Sequence, residues 1–311
     1  MKTEQDDHLP ILLIHNGPLT DFIRLNDLFR LLRDRWPSRP LYLVAHPDAE
    51  SLLADCPHFS YFYGIRNPLD EWKLMWGLRK LRFSLLLDLT HRPVTALHLL
   101  QRLRVVQQWP ARPGEKLTLP QRLERYTSLL SVQPSALWPA VWTTRRHQEQ
   151  VKKHLMQVNP DKGPLLAIGL SPADPAEKLS DDQWFRLLYL LKKQFPSIRF
   201  LFLCQPSDLN RAKTLSTPFG FGTVILPAHH TLQHWYEYLR SSDLLISQDP
   251  DVLMLAQAAG HPSFSITNRF PAPAQNTRSF PLTQGLLPGQ AVSQLTGDHL
   301  ASRVTGLLSR T

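Results

Sequence analysis

Three charged residues stand where an apolar run hands over to a helical one. They are Asp21 in "HNGPLTDFIRL", Lys178 in "GLSPADPAEKLSDDQW" and Asp249 in "SDLLISQDPDVLMLAQAAG". In an α/β protein such hand-overs carry the chemistry, because ligands collect at the carboxyl ends of parallel strands. A carboxylate held there suits general-base work, taking a proton from a hydroxyl. A lysine just before a helix reaches phosphate oxygens that also meet the helix N-terminus. Two of the three have a plainer reading as well. Asp is a common N-cap, which would account for Asp21, and Lys178 is equally a solvated loop lysine.

The third hand-over is the most detailed. Asp249 reads as an N-cap and Pro250 fits the first helical position, where a missing N–H costs nothing. The helix then runs to Gly260. Free N–H groups at such a start favour an anion, but Asp251 already supplies one. A second anion ~4 Å away would be repelled by up to about 4 kcal/mol at an effective dielectric of ~20.

Other chemistries lack their residues. There is no Gly-x-Gly-x-x-Gly, no phosphate loop ending in Gly-Lys and no serine nucleophile elbow. That argues against a dinucleotide oxidoreductase, a kinase-like NTPase and an α/β-hydrolase. The histidines do not cluster as metal ligands: His15, His46 and His91 fall at or just past strand ends, and His229 and His230 are adjacent. His15 and His91 would line a cleft or be satisfied locally. Cys56 and Cys204 have no metal or redox spacing and read as buried free thiols in a reducing compartment.

The elements that position these residues are legible as alternating strands and helices. In the first half, strands are expected at 11–16, 41–46, 83–90 and 104–109. Helices are expected at 21–37, 71–82 and 94–103. Apolar residues at 22, 25, 28, 29 and 32 make one stripe. Residues 110–163 break the rhythm with frequent proline and one helical piece, "QRLERYTSLL". The second half restarts with strands at 164–172, 198–204, 223–227, 243–247 and 263–267, and helices at 179–196 and 231–242. A last helix reads "GDHLASRVTGLLSR". Ser180 and Gln183 have capping-box spacing and Leu179 can staple to Trp184. Trp184, Leu187, Leu188, Leu191 and Phe195 form one face. Parallel sheets with crossover helices follow, in two domains, 1–150 and 151–311, the last helix returning to the first.

The chain carries a net charge of +9. Arginines are spread along helices with no compact block, so a solvated basic face and a surface for anionic partners are both open. No nucleic-acid module is present. No apolar run reaches the ~18 residues of a membrane span, and "MKTEQDDHLP" has no apolar core of a leader.

In this order and spacing, four stretches resemble the lipopolysaccharide heptosyltransferases. They are "ILLIHNGPLTDFIRLNDLFRLLRDRWP", "FSLLLDLTHRPVTALHLL", "LAIGLSPADPAEKLSDDQWFRLLYLL" and "LRSSDLLISQDPDVLMLAQAAGHPSFSI". The resemblance covers most of the chain. It implies the GT-B architecture: α/β, two Rossmann-like domains whose parallel sheets face a central cleft, the first on the acceptor side and the second on the nucleotide-sugar side. It implies inverting transfer of heptose from ADP-heptose to the lipopolysaccharide core, with no cofactor or metal beyond the ADP-sugar donor. Asp21 matches the base, Lys178 the lysine at the donor phosphates, and Asp249 the aspartate opening the diphosphate-binding helix. Ser171 joins these as a donor-site residue. Expected partners are the nucleotide-sugar and an anionic glycolipid, at the cytoplasmic face of the inner membrane, with no nucleic acid. The family pattern is altered at Thr20, Pro250, Asp251 and Met254, which replace two glycines, a small residue and a histidine. A non-catalytic binding relative and a transferase with another donor remain open readings.

Overall fold

"ILLIH" has no polar residue before its histidine, and all five of its residues are buried. A strand covered on both faces reads this way, and this one, β1 (Ile11–His15), lies at the centre of a sheet. In the computed structural model, the residues described are 8–15, 17, 19–89, 103–109, 119–129, 131, 139–172, 174–220, 223–266, 283–284, 292 and 295–308. They fall into two compact units, Met1–Trp142 and Thr143–Thr311.

In the first unit β1 is joined by β2 (Leu41–Ala45), β3 (Tyr61–Gly64), β4 (Arg82–Asp88) and β5 (Arg104–Trp109). All pairings are parallel, in the order β3-β2-β1-β4-β5. Helix α1 (Leu19–Arg35) buries Phe22, Leu25, Leu28, Phe29 and Leu32, the expected stripe. The others are α2 (Asp48–Leu53), α3 (Pro68–Leu78) and α4 (Leu119–Leu129). Helix α3 starts earlier than its apolar pattern implies. The Asn67 side chain accepts from Leu69 N and Asp70 N, both at 3.0 Å, and Pro68 takes the first helical position. His91 and all of the expected helix over 94–103 except Leu103 lie outside the described residues.

The second unit holds β6 (Leu165–Gly169), β7 (Arg199–Phe202), β8 (Val224–Ile225), β9 (Leu244–Ser247), β10 (Ser263–Ser265) and β11 (Thr283–Gln284). Again all pairings are parallel, in the order β11-β10-β9-β6-β7-β8. Its helices are α5 (Arg145–Val158), α6 (Asp181–Gln194), α7 (Leu209–Ser216), α8 (Leu232–Arg240), α9 (Pro250–Ala259) and α10 (Gly297–Leu308). The capping box of α6 is present: Ser180 Oγ accepts from Gln183 N, and Gln183 Oε1 accepts from Ser180 N. Leu179, Trp184, Leu187, Leu188 and Leu191 lie in one core, with Phe195 packed at its edge. The terminal helix α10 packs on α6, where Arg186 and Asp298 pair at 2.9 Å.

Helix α5 has no apolar stripe, since only Val151 is buried. It is held to α8 by polar pairs instead. His234 Nε2 meets Gln150 Oε1 at 2.9 Å, and Tyr238 Oη meets His154 Nδ1 at 2.8 Å. Burial, with the fields of His229, His147 and Arg146 behind it, pushes the His234 imidazole down to about 4. Burial also pushes His261 down to about 4 and lowers His154. Folded values below the ordinary 6.5 mean that the unfolded chain takes up protons first as pH falls. Stability is therefore full above about pH 6.5 and is lost progressively between there and pH 4. Calorimetric melts across that window should show this fall, and a His234→Gln, His261→Gln protein should show a flatter one.

Candidate functional site

Each sheet has one place where the strand order reverses. In the first it lies between β1 and β4, and in the second between β6 and β9. Loops leaving such strands diverge and open a crevice at their carboxyl ends.

In the first unit, β1 ends at His15, Gly17 follows in the connection, and α1 begins at Leu19. Asp21 is the third residue of α1, not its N-cap, so the capping explanation fails. Its carboxylate adds to the favourable charge of a helix first turn. His15 is fully buried, and its Nδ1 lies 3.1 Å from Leu89 O just past β4. A carbonyl only accepts, so Nδ1 carries the proton and the other nitrogen is turned the opposite way. That nitrogen, Nε2, stands 3.4 Å from Asp21 Oδ2. Phe22 meets the imidazole edge-on at 4.8 Å between ring centres. Gly17 closes over the pair: a Cβ there would lie 2.6 Å from His15 Nε2 and 2.7 Å from Asp21 Oδ2. Only glycine fits without moving them. Burial holds the Arg24 guanidinium below its ordinary value, against the opposing charge of Asp21. His15, left open by the sequence between lining a cleft and local satisfaction, is thus the oriented neighbour of the candidate base.

In the second unit, Ser171 follows β6 and donates its hydroxyl proton to Asp208 Oδ2 at 2.5 Å. Its lone pairs remain for a ligand N–H or O–H. Lys178 is exposed and has no ion-pair partner among the described residues. Its position is set by Gln248, the residue after β9. Gln248 Nε2 donates to Glu177 O at 2.6 Å, and Gln248 Oε1 accepts from Leu179 N at 3.0 Å. The buried amide bonds to both neighbours of Lys178, so the lysine and Asp249 share one rim. Sequence reasoning missed Gln248.

Asp249 caps α9 as expected, and Gly260 ends that helix in the left-handed region at φ 62°. The cap uses up the helix start. Asp249 Oδ1 accepts from Asp251 N at 2.8 Å and Val252 N at 3.3 Å, Asp249 O accepts from Leu253 N, and Pro250 has no N–H. The expectation of free N–H groups here is overturned, because the anion filling the slot is the protein's own carboxylate. Burial first, then Asp251, push the Asp249 carboxyl up to about 7, against the two backbone N–H groups that pull it down. Met254 is buried within α9. Among the described residues, no group of His, Cys, Asp and Glu could hold a metal ion. No described helix is long and apolar enough to cross a membrane. Cys56 and Cys204 are buried and free, and burial pushes both thiols up to about 11.

No protein-family model matches the chain, and no curated protein matches it in sequence. Solved structures do match. A glycosyl transferase family 9 protein from Veillonella parvula superposes with a TM-score of 0.76 at 12% identity, covering 100% of this chain and 99% of that one. The fold is that of the GT-B glycosyltransferases. Escherichia coli ADP-heptose lipopolysaccharide heptosyltransferase II gives 0.72 at 14% identity, over 97% of this chain and 99% of its own. The E. coli heptosyltransferase WaaC with ADP-2-deoxy-2-fluoro heptose gives 0.69 at 13%, over 96% and 99%. On this GT-B fold, His15 and Asp21 occupy the switch point of the first sheet, and Lys178 and Asp249 that of the second.

Proposed function

We propose that the chain is a glycosyltransferase of the heptosyltransferase type. It moves a heptose from ADP-heptose to the anionic core of a lipopolysaccharide acceptor, at the cytoplasmic face of the inner membrane. The observation that carries this reading is Asp21 at the β1–β4 switch point, its Oδ2 3.4 Å from His15 Nε2 and both atoms roofed by Gly17. The E. coli neighbour solved with a fluorinated ADP-heptose supports that donor.

The acceptor hydroxyl loses its proton to the Asp21 carboxylate as its oxygen bonds to the anomeric carbon. The bond from that carbon to the diphosphate oxygen breaks on the opposite side, and ADP leaves with the electron pair. Configuration inverts. Lys178 neutralises charge on the departing diphosphate, Ser171 offers a lone pair to the donor, and Asp249 meets the sugar. The positive charge of the chain suits both anionic substrates.

One observation favours a second reading, a GT-B relative that binds without catalysing: the first N–H groups of α9 are already taken by Asp249. Titration calorimetry with ADP and ADP-heptose divides the two. The transferase reading expects measurable ADP affinity that rises from pH 8 to pH 6, as Asp249 takes up a proton and stops opposing the diphosphate. Asp251→Asn should tighten ADP on the order of tenfold by removing one nearby charge. No heat at millimolar ligand, in either protein, removes the enzyme.

A further inference from the structure

Helix α3 turns Met75 and Leu78 into the first unit's core. Its other face turns large apolar side chains into solvent. Leu69 is 71% exposed, Trp72 49% and Trp76 41%. Their spacing of three and four residues sets them in one stripe along two turns. The indoles of Trp72 and Trp76 stack at 5.6 Å, and the Arg79 guanidinium lies 3.1 Å from the centre of the Trp76 ring. Leu81 continues the stripe beyond the helix end and is also exposed.

Cations surround this stripe. Lys73 is exposed on the helix itself, Lys80 is exposed in the turn that follows it, and Arg66 and Arg82 are exposed at its two ends. The two acids of the helix, Asp70 and Glu71, sit in its first turn and are partly buried. Burial first, then the charge of Asp88 at the end of β4, raise the Glu71 carboxyl.

We propose that this face of α3 is a membrane-surface anchor, laid flat on a bilayer rich in anionic headgroups. Tryptophans seat at the headgroup level, where one end of the ring is apolar and the other wet. Lysines reach past them to lipid phosphates along their apolar stems. A protein interface would deplete lysine at its centre, whereas here Lys73 lies between the two tryptophans in sequence. A helix of 11 residues is too short to span a bilayer and suits the interface. The surface rests on the proposed function for its purpose, bringing the chain to a glycolipid acceptor, but not for its binding.

The test is cosedimentation of the full chain with vesicles, followed also by tryptophan emission. Vesicles of phosphatidylcholine with one third phosphatidylglycerol are compared with pure phosphatidylcholine. The expected result is binding to the anionic vesicles with a blue shift, weakened by salt. Lys73→Gln with Lys80→Gln should lower partitioning about 25-fold, near fivefold per lysine. Trp72→Ser with Trp76→Ser should abolish the blue shift while the thermal melt stays unchanged. Three outcomes overturn the proposal: no binding to anionic vesicles, equal binding to both vesicle types, or self-association in solution that the tryptophan variant abolishes. Vesicle binding without ADP affinity would leave the anchor standing and the transferase reading fallen.

Discussion

Asp21→Asn is expected to lower the rate of sugar transfer by about 10²–10⁴-fold, the usual contribution of a positioned general base. Asparagine keeps the shape of the side chain and its place in the first turn of α1. What it loses is the ability to accept the acceptor's proton. Because Asp21 belongs to the first unit and the donor residues to the second, ADP affinity should stay within about twofold, well under the 1.4 kcal/mol of a tenfold change. The split between rate and donor binding is the informative part, since a misfolded variant would lose both. His15→Gln makes the second arm. It leaves the carboxylate but removes the imidazole fixed by Leu89 O, so the rate should fall less than in Asp21→Asn. Initial rates with labelled donor measure both. An Asp21→Asn protein with full transfer activity would mean that the proton goes elsewhere, and the mechanism would have to be abandoned.

The parts of this architecture that could be read from the sequence are those whose physics is local. Buried parallel strands are short apolar runs, and β1, β2, β4, β6, β7 and β9 were legible for that reason. Helices α1 and α6 carried apolar stripes, and α6 announced its start through Ser180 and Gln183. Strand β3 was missed because it is a four-residue edge strand, half exposed, between turn-forming residues. Helix α5 was missed because its partners are hydrogen bonds rather than an apolar face. The site divides in the same way. Asp21, Lys178 and Asp249 were visible because a strand-to-helix hand-over has a local signature. His15 and Gln248 depend on partners 74, 69 and 71 residues away, which no local pattern encodes. The capping role of Asp249 was legible, but its consequence was not. Only the geometry brings one carboxylate oxygen within reach of two successive N–H groups and so closes the helix start to an outside anion.

Trp184→Ala should be the most damaging core substitution in the second unit, costing about 3–5 kcal/mol. The indole is fully buried among Leu179, Leu187 and Leu188, at the point where α6 meets its sheet. Removing it takes away the largest side chain in that cluster and leaves a void in its place. Trp184→Phe separates packing from polarity. The Nε1–H of Trp184 is buried with no hydrogen-bond partner among the described residues. Leaving such a group unsatisfied costs roughly 1–3 kcal/mol, which phenylalanine recovers while creating a smaller void. The two variants should therefore differ by several kcal/mol, with phenylalanine near wild type, in the urea midpoint of the second unit. The loss also reaches the site. Leu179 N is held by Gln248 and Ser180 caps α6, so loosening Trp184 frees the segment that carries Lys178. ADP affinity should fall in Trp184→Ala and hold in Trp184→Phe. Equal, small effects of both on unfolding would mean that the second unit is not built around this face of α6.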